Sequence, residues 1–138
     1  MEIVKIENKT FLKEKLIDFA ENCSWEAGKH LAFILKENNF LEWEAVFAAV
    51  EDGEIIGFCT FLETDYYPEN RYSPWISSIF VDEKFRGNKI SFRLIENTIE
   101  YENGKDYLID IQWFGGGVKL WSTYQNGQFI FITEEKSW

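Results

Sequence analysis

A chain of 138 residues that is 46% hydrophobic and 18% aromatic can bury a core as one domain, and it is too apolar to be disordered. Its formal net charge of −10 argues against sequence-independent binding to nucleic acid or an anionic membrane, and it is compatible with a cationic small substrate. No apolar run reaches the length of a membrane span, and the first ten residues lack a basic region followed by an apolar one. Cys23 and Cys59 make neither a disulfide framework nor a zinc site, so no metal and a cytoplasmic, reducing home are expected.

Residues 1–8 alternate Ile3, Val4 and Ile6 with polar neighbours and read as a first strand. Thr10 is a helix cap, and Phe11, Leu12, Leu16, Phe19 and Ala20 fall on one helical face. After a break at Glu21-Asn22-Cys23, Ser24 caps a second helix that presents Trp25, Leu31, Ala32, Ile34 and Leu35 and stops at Asn38-Asn39. Glu44–Val50 and Ile55–Thr64 are strands joined by the turn Glu51-Asp52-Gly53-Glu54, where Gly53 supplies positive φ. Gly57 marks a bulge or a close backbone approach, and the proline-bearing segment Asp65–Pro74 is a polar loop.

The stretch Trp75–Ile95 organises the rest. Trp75, Ile76, Ile79, Phe80 and Val81 form a β-favouring run, Asp82-Glu83-Lys84 a charged turn, and Ile90, Leu94, Ile95 and Ile99 the apolar stripe of a helix. Strand, tight polar turn and helix can present unpaired N–H groups and a positive helix end to an anion. The same layout also serves as an ordinary strand–helix connection with a surface arginine. Gly104 suits the helix's closing cap, and Tyr107–Ile111 is a fifth strand, parallel to the fourth because a helix intervenes. Gly115-Gly116-Gly117 is a loop, Val118–Tyr124 a short helix and Phe129–Thr133 a last strand.

That order of elements resembles the GNAT fold of acetyl-CoA-dependent N-acetyltransferases. The most specific residues run from Val81 to Ile95, VDEKFRGNKISFRLI, similar to the family's strand ending in Val-Asp, an aromatic, and Arg/Gln-x-x-Gly-x-Gly/Ala opening a helix. The resemblance extends from about Cys23 to Asp110. It implies an α/β, GNAT-like domain over residues 1–138, with a mixed, mostly antiparallel sheet and a parallel central strand pair flanked by helices. It implies acetyl-CoA as cosubstrate, with the backbone of Ile79, Phe80 and Val81 pairing with the pantetheine arm and Arg86, Gly87, Asn88, Lys89, Ile90 and Ser91 holding the pyrophosphate. Lys89 stands where the signature has glycine and Ser91 where it has glycine or alanine; a lysine fits if its φ is negative.

For the chemistry, the resemblance implies transfer of acetyl to the primary amine of a small-molecule or peptide acceptor. The backbone near Ile79 and Phe80 is the oxyanion-donor candidate. Tyr124, in Tyr124-Gln125-Asn126-Gly127-Gln128-Phe129, is the candidate acid for the leaving thiolate, with Trp121 an alternative occupant of that place. Glu63 and Asp65 are the candidate bases. His30, between Lys29 and Leu31 on a helix, is not expected to act in catalysis, and Trp25, Trp75, Tyr66, Tyr67 and Tyr72 could wall a substrate or simply pack. A CoA-binding or protein-interaction module without turnover is the other reading. A homodimer is expected, because the few residues after Gly127 suit one strand and leave a sheet edge open.

Overall fold

The computed structural model describes residues 1–62, 75–101, 109–115, 118–125 and 128–136, with side-chain surroundings for residues 1–62, 76 and 78–101. Among these residues, strands β1 (Glu2–Lys5), β2 (Ala45–Glu51), β3 (Glu54–Leu62), β4 (Trp75–Val81), β5 (Ile109–Gly115), β6 (Val118–Gln125) and β7 (Gln128–Lys136) lie side by side in chain order. Helices α1 (Phe11–Asn22) and α2 (Glu26–Glu37) follow β1, and α3 (Ile90–Tyr101) follows β4. Neighbours pair antiparallel except β4 and β5, which run in the same direction through two registered pairs, Trp75 with Asp110 and Ile76 with Ile111.

The period of two along β2 divides the core into layers. Val46, Ala48 and Val50 face α1 and α2 with Leu16, Ala20, Leu31 and Leu35, while Ala45, Phe47 and Ala49 face the other side with Ile90 and Leu94 of α3. Both faces are covered, which explains why β2 is buried from Ala45 to Val50. Phe58 and Phe61 of β3, three residues apart and in clusters on opposite faces of the sheet, are each fully buried and contribute roughly 1.5–3 kcal/mol apiece by leaving water.

Local chemistry explains most boundaries. Thr10 caps α1 by accepting the Lys13 N–H at 3.3 Å, as its position before the apolar stripe predicts. Ser24 does not cap α2: Trp25 stands at the cap position without a side-chain capping bond, and its ring packs on Phe80, 5.6 Å away. Phe11, the first residue of α1, is 75% exposed rather than on the buried face, with Lys15 Nζ 5.2 Å from the centre of its ring. The Asp52-Gly53 turn joins β2 to β3 with both φ values positive, and Ile56 is the extra residue of a bulge beside Gly57. A Cβ on Gly57 would lie 2.7 Å from the Phe80 carbonyl oxygen, so the expected close approach is real.

The region expected to hold a helix at Val118–Tyr124 is instead β6. Its β-branched and aromatic residues, Val118, Trp121, Thr123 and Tyr124, favour a strand, and Gly115 is the last residue of β5, paired with Val118. The final strand is also longer than expected, running from Gln128 to Lys136. Gly104, proposed as a cap, lies outside the described residues.

Candidate active site

In β4 the side-chain pattern breaks its own rule. Ile76 packs with Phe61 and Ile95, and Ile79 packs in the same layer, yet residues three apart in a regular strand face opposite ways. The register supplies the reason: Phe58 pairs with Phe80 but Thr60 with Ser77, so β4 carries one extra residue opposite Cys59. Ser78 absorbs it with φ +50, a left-handed value that an L residue adopts at a cost of about 1 kcal/mol or more. Beyond Ile76, β4 and β5 share no registered pair among the described residues. The backbone of Ile79, Phe80 and Val81 thus runs along β3 on one side and has left β5 on the other. Sequence reasoning named those three residues but not Ser78, and the spacing Ile76–Ile79 inside a strand was the signal available.

Phe80 and Val81 then lead into the turn. Phe80 stacks on Phe58 with centroids 5.5 Å apart, which fixes the end of β4 on the α1–α2 side, while Val81 packs on the α3 side with Leu94. The Asp82 N–H donates to the Ile56 carbonyl at 2.8 Å, and its Oδ1 accepts the Lys84 N–H at 3.0 Å, capping a 3-10 turn over Glu83–Phe85. Arg86 Nε donates to the Val81 carbonyl at 2.9 Å, and its guanidinium sits 5.5 Å from the centre of the Phe80 ring. The arginine is therefore folded back on the strand it follows, with its remaining donors at the exposed end of the side chain. Asn88 Nδ2 donates to the Phe85 carbonyl at 3.0 Å and draws the turn closed.

Gly87 has φ +88 and Lys89 has φ +59. The condition set for lysine at that position, a negative φ, is not met: Lys89 holds the left-handed conformation for which glycine is suited. Its carbonyl accepts the Arg93 N–H at 3.1 Å, opening α3, and the first-turn amides from Ile90 onward have no acceptor within the helix by geometry. Residues 84–93 carry Lys84, Arg86, Lys89 and Arg93 and no acidic residue, in a chain whose net charge is −10. The positive end of a twelve-residue helix and four cations within ten residues mark this turn, an arrangement suited to a phosphorylated ligand.

Behind the bulge, Cys59 is fully buried with its Sγ 3.3 Å from Thr98 Oγ1. Burial pushes its thiol up to about 12, against a smaller lowering by Thr98, so it is a neutral core group and no nucleophile. Cys23 is half-buried, and both cysteines are free. His30 is exposed on α2. No group of metal-ligating side chains exists among the described residues, and none of their helices is long and apolar enough to cross a membrane.

The catalytic candidates are less gathered. Glu63, Asp65, Tyr66, Tyr67 and Tyr72 lie outside the described residues. Tyr124 is in β6, its backbone paired with Ile109 of β5 and Phe129 of β7. Trp121 pairs with Gln112, three residues further along β5 and past its last registered pair with β4, so its backbone is level with the region where the two strands part.

The profile of the Acetyltransferase (GNAT) family matches residues 5–113. No curated protein matches the chain in sequence. Among solved structures, the aminoglycoside 6'-N-acetyltransferase from Enterococcus faecium is similar at 20% identity and a TM-score of 0.62, covering 86% of this chain and 66% of that one. An aminoglycoside 6'-N-acetyltransferase complexed with coenzyme A matches at 18% identity and 0.59 over the same shares. A GNAT family N-acetyltransferase from Escherichia coli in complex with CoA matches at 24% identity and 0.59, covering 80% of this chain and 61% of that one. These identities speak for a shared fold, and the chain spans 66% of the length of the two aminoglycoside enzymes. With the profile covering most of its length, the chain belongs to the GNAT acetyltransferase family.

Proposed function

We propose that this protein is an N-acetyltransferase that moves acetyl from acetyl-CoA to a primary amine by direct transfer, within a single domain over residues 1–138. The observation that carries the reading is the basic, left-handed turn between β4 and α3, set beside a strand whose backbone has left its parallel neighbour. The residues fit the cosubstrate: Arg86, Gly87, Asn88, Lys89, Ile90 and Ser91 would hold the pyrophosphate, and Ile79, Phe80 and Val81 the pantetheine amides. In the transfer, the neutral amine nitrogen attacks the thioester carbonyl, the C–S bond breaks, the amine loses a proton and the thiolate gains one. A backbone N–H near Ile79 or Phe80 would steady the oxyanion. Tyr124 is the proposed acid and Glu63 or Asp65 the proposed base.

The acceptor is proposed to be a small amine, in keeping with the aminoglycosides named for two of the similar structures and with the acidic balance of the chain. A cytoplasmic location accords with that chemistry. The test is release of free thiol from acetyl-CoA across a panel of amines, paired with the thermal shift on adding CoA. Thiol release supports the enzyme; a CoA shift with no release across the panel supports the second reading, a CoA-binding module. Two observations favour that second reading: Lys89 in place of glycine, and strand β6 where the family's order of elements has a short helix. A homodimer is proposed on the nine-residue edge strand β7, and a monomer mass by light scattering at micromolar concentration would overturn it.

A further inference from the structure

At the opposite end of the sheet from the α3 turn, the close of β1, the first turn of α1, the last turn of α2 and the start of β2 line a half-open cavity of about 160 Å³. Lys13 lines it and, at 9% exposure, is the buried charged side chain among the described residues. Its Nζ donates to Asn8 Oδ1 at 2.9 Å and to Asn38 Oδ1 at 3.3 Å. Asn38 holds that position with φ +55 at the end of α2, and Asn8 precedes Lys9, which has φ +61. Both oxygens are neutral. An ammonium has three donors, and the third has no acceptor among the described residues.

Two carboxylates line the same cavity, yet neither is within 4.0 Å of this cation: the Glu7 carboxylate lies 3.7 Å from Lys5 Nζ, and Glu44 accepts the Leu41 N–H at 2.6 Å. A buried cation held by neutral oxygens is costly unless a counter-charge reaches it. Leu35 and Phe40 supply an apolar wall beside it. The cavity has room for about five waters, at roughly 30 Å³ each. Glu7 and Glu44 disfavour a multiply charged ion such as phosphate.

We propose that this cavity binds a small aliphatic carboxylate, its oxygens on Lys13 and its short chain against Leu35 and Phe40. The site is separate from the β4–α3 turn and does not depend on the reading of that turn. The test is a titration of the 15N-labelled full chain with sodium butyrate, against sodium chloride and the neutral isostere butyramide. Saturable shifts at the amides of Asn8, Lys13 and Asn38 in the millimolar range, produced by butyrate alone and weakened at least tenfold in Lys13→Met, support the site. Equal shifts with butyramide, no saturation, or shifts confined to residues 86–91 overturn it. Should Lys13→Met fail to fold, the comparison of butyrate with butyramide on the unmodified chain decides.

Discussion

Among the described residues, two turns take the backbone through the left-handed region twice, and they choose residues in opposite ways. The β2–β3 hairpin does so at Asp52, φ +50, and Gly53, φ +79. Aspartate and glycine are the residues that tolerate such values in a two-residue hairpin. The β4–α3 turn does so at Gly87, φ +88, and at Lys89, φ +59, where an ordinary L residue costs about 1–2 kcal/mol. The hairpin has only to reverse the chain, and its residues suit its backbone. The second turn faces the proposed phosphate site, and there a cation occupies a glycine conformation. Backbone strain of this kind persists where the surroundings hold it and is concentrated at functional sites.

The sharpest way to break that contrast begins in the strand pair between the turns. Gly57→Ala drives a Cβ against the Phe80 carbonyl and should cost about 2–3 kcal/mol in denaturant unfolding, moving β4 away from β3. Gly53→Ala and Gly87→Ala come next. Neither added Cβ meets an atom within 4 Å, so each should cost only backbone strain, about 1–2 kcal/mol. The two variants should match in stability and differ in ligand binding, Gly87→Ala alone weakening CoA at least tenfold by calorimetry. Equal CoA affinities would dissolve the distinction between the turns.

Cys59, opposite the β4 bulge, gives a pH test. Its folded pKa is raised from 9.0 to about 12, so below about pH 9 the thiol is protonated in both states and has no effect. Above that the unfolded chain loses the proton first, and stability falls as pH rises toward 12, by about 1.4 kcal/mol per pH unit. Urea melts of Cys59→Ala at pH 8 and pH 10 should lack that difference. The smallest effect is expected from Lys89→Gly: a gain of about 1 kcal/mol from relieved strain, with CoA affinity falling severalfold and its salt dependence weakening. A loss of stability with unchanged CoA affinity would assign Lys89 no part in phosphate binding.

The parts legible in sequence are those where local chemistry and tertiary packing agree. Thr10, the Asp52-Gly53 turn and the helical stripe Ile90–Leu94 were all readable because cap, turn and period each carry their own signal. Val118–Tyr124 is misleading because no glycine or proline inside it excludes a short helix, whereas the strands on either side of it, within Tyr107–Ile111 and Phe129–Thr133, are legible. Asn126-Gly127 is also a hairpin signal, which the reading of Tyr124–Phe129 as a catalytic motif leaves out. In the site, the anion turn was legible from Arg86, Gly87 and the helix that follows. The sign of φ at Lys89 was not, since sequence shows which residue stands there but not which backbone it is forced to adopt. The bulge at Ser78 has a sequence signal in the Ile76–Ile79 spacing, although the positive φ that Ser78 adopts has none.

The central claim is that the β4–α3 turn is a phosphate cradle beside an open strand. A crystal structure with CoA soaked in tests it most directly. The account predicts pyrophosphate oxygens about 3 Å from amides between Arg86 and Ser91, with pantetheine amides paired to β4 beyond Ile76. CoA bound elsewhere, or a soaked crystal in which the α3 N-terminus holds no phosphate, would contradict it.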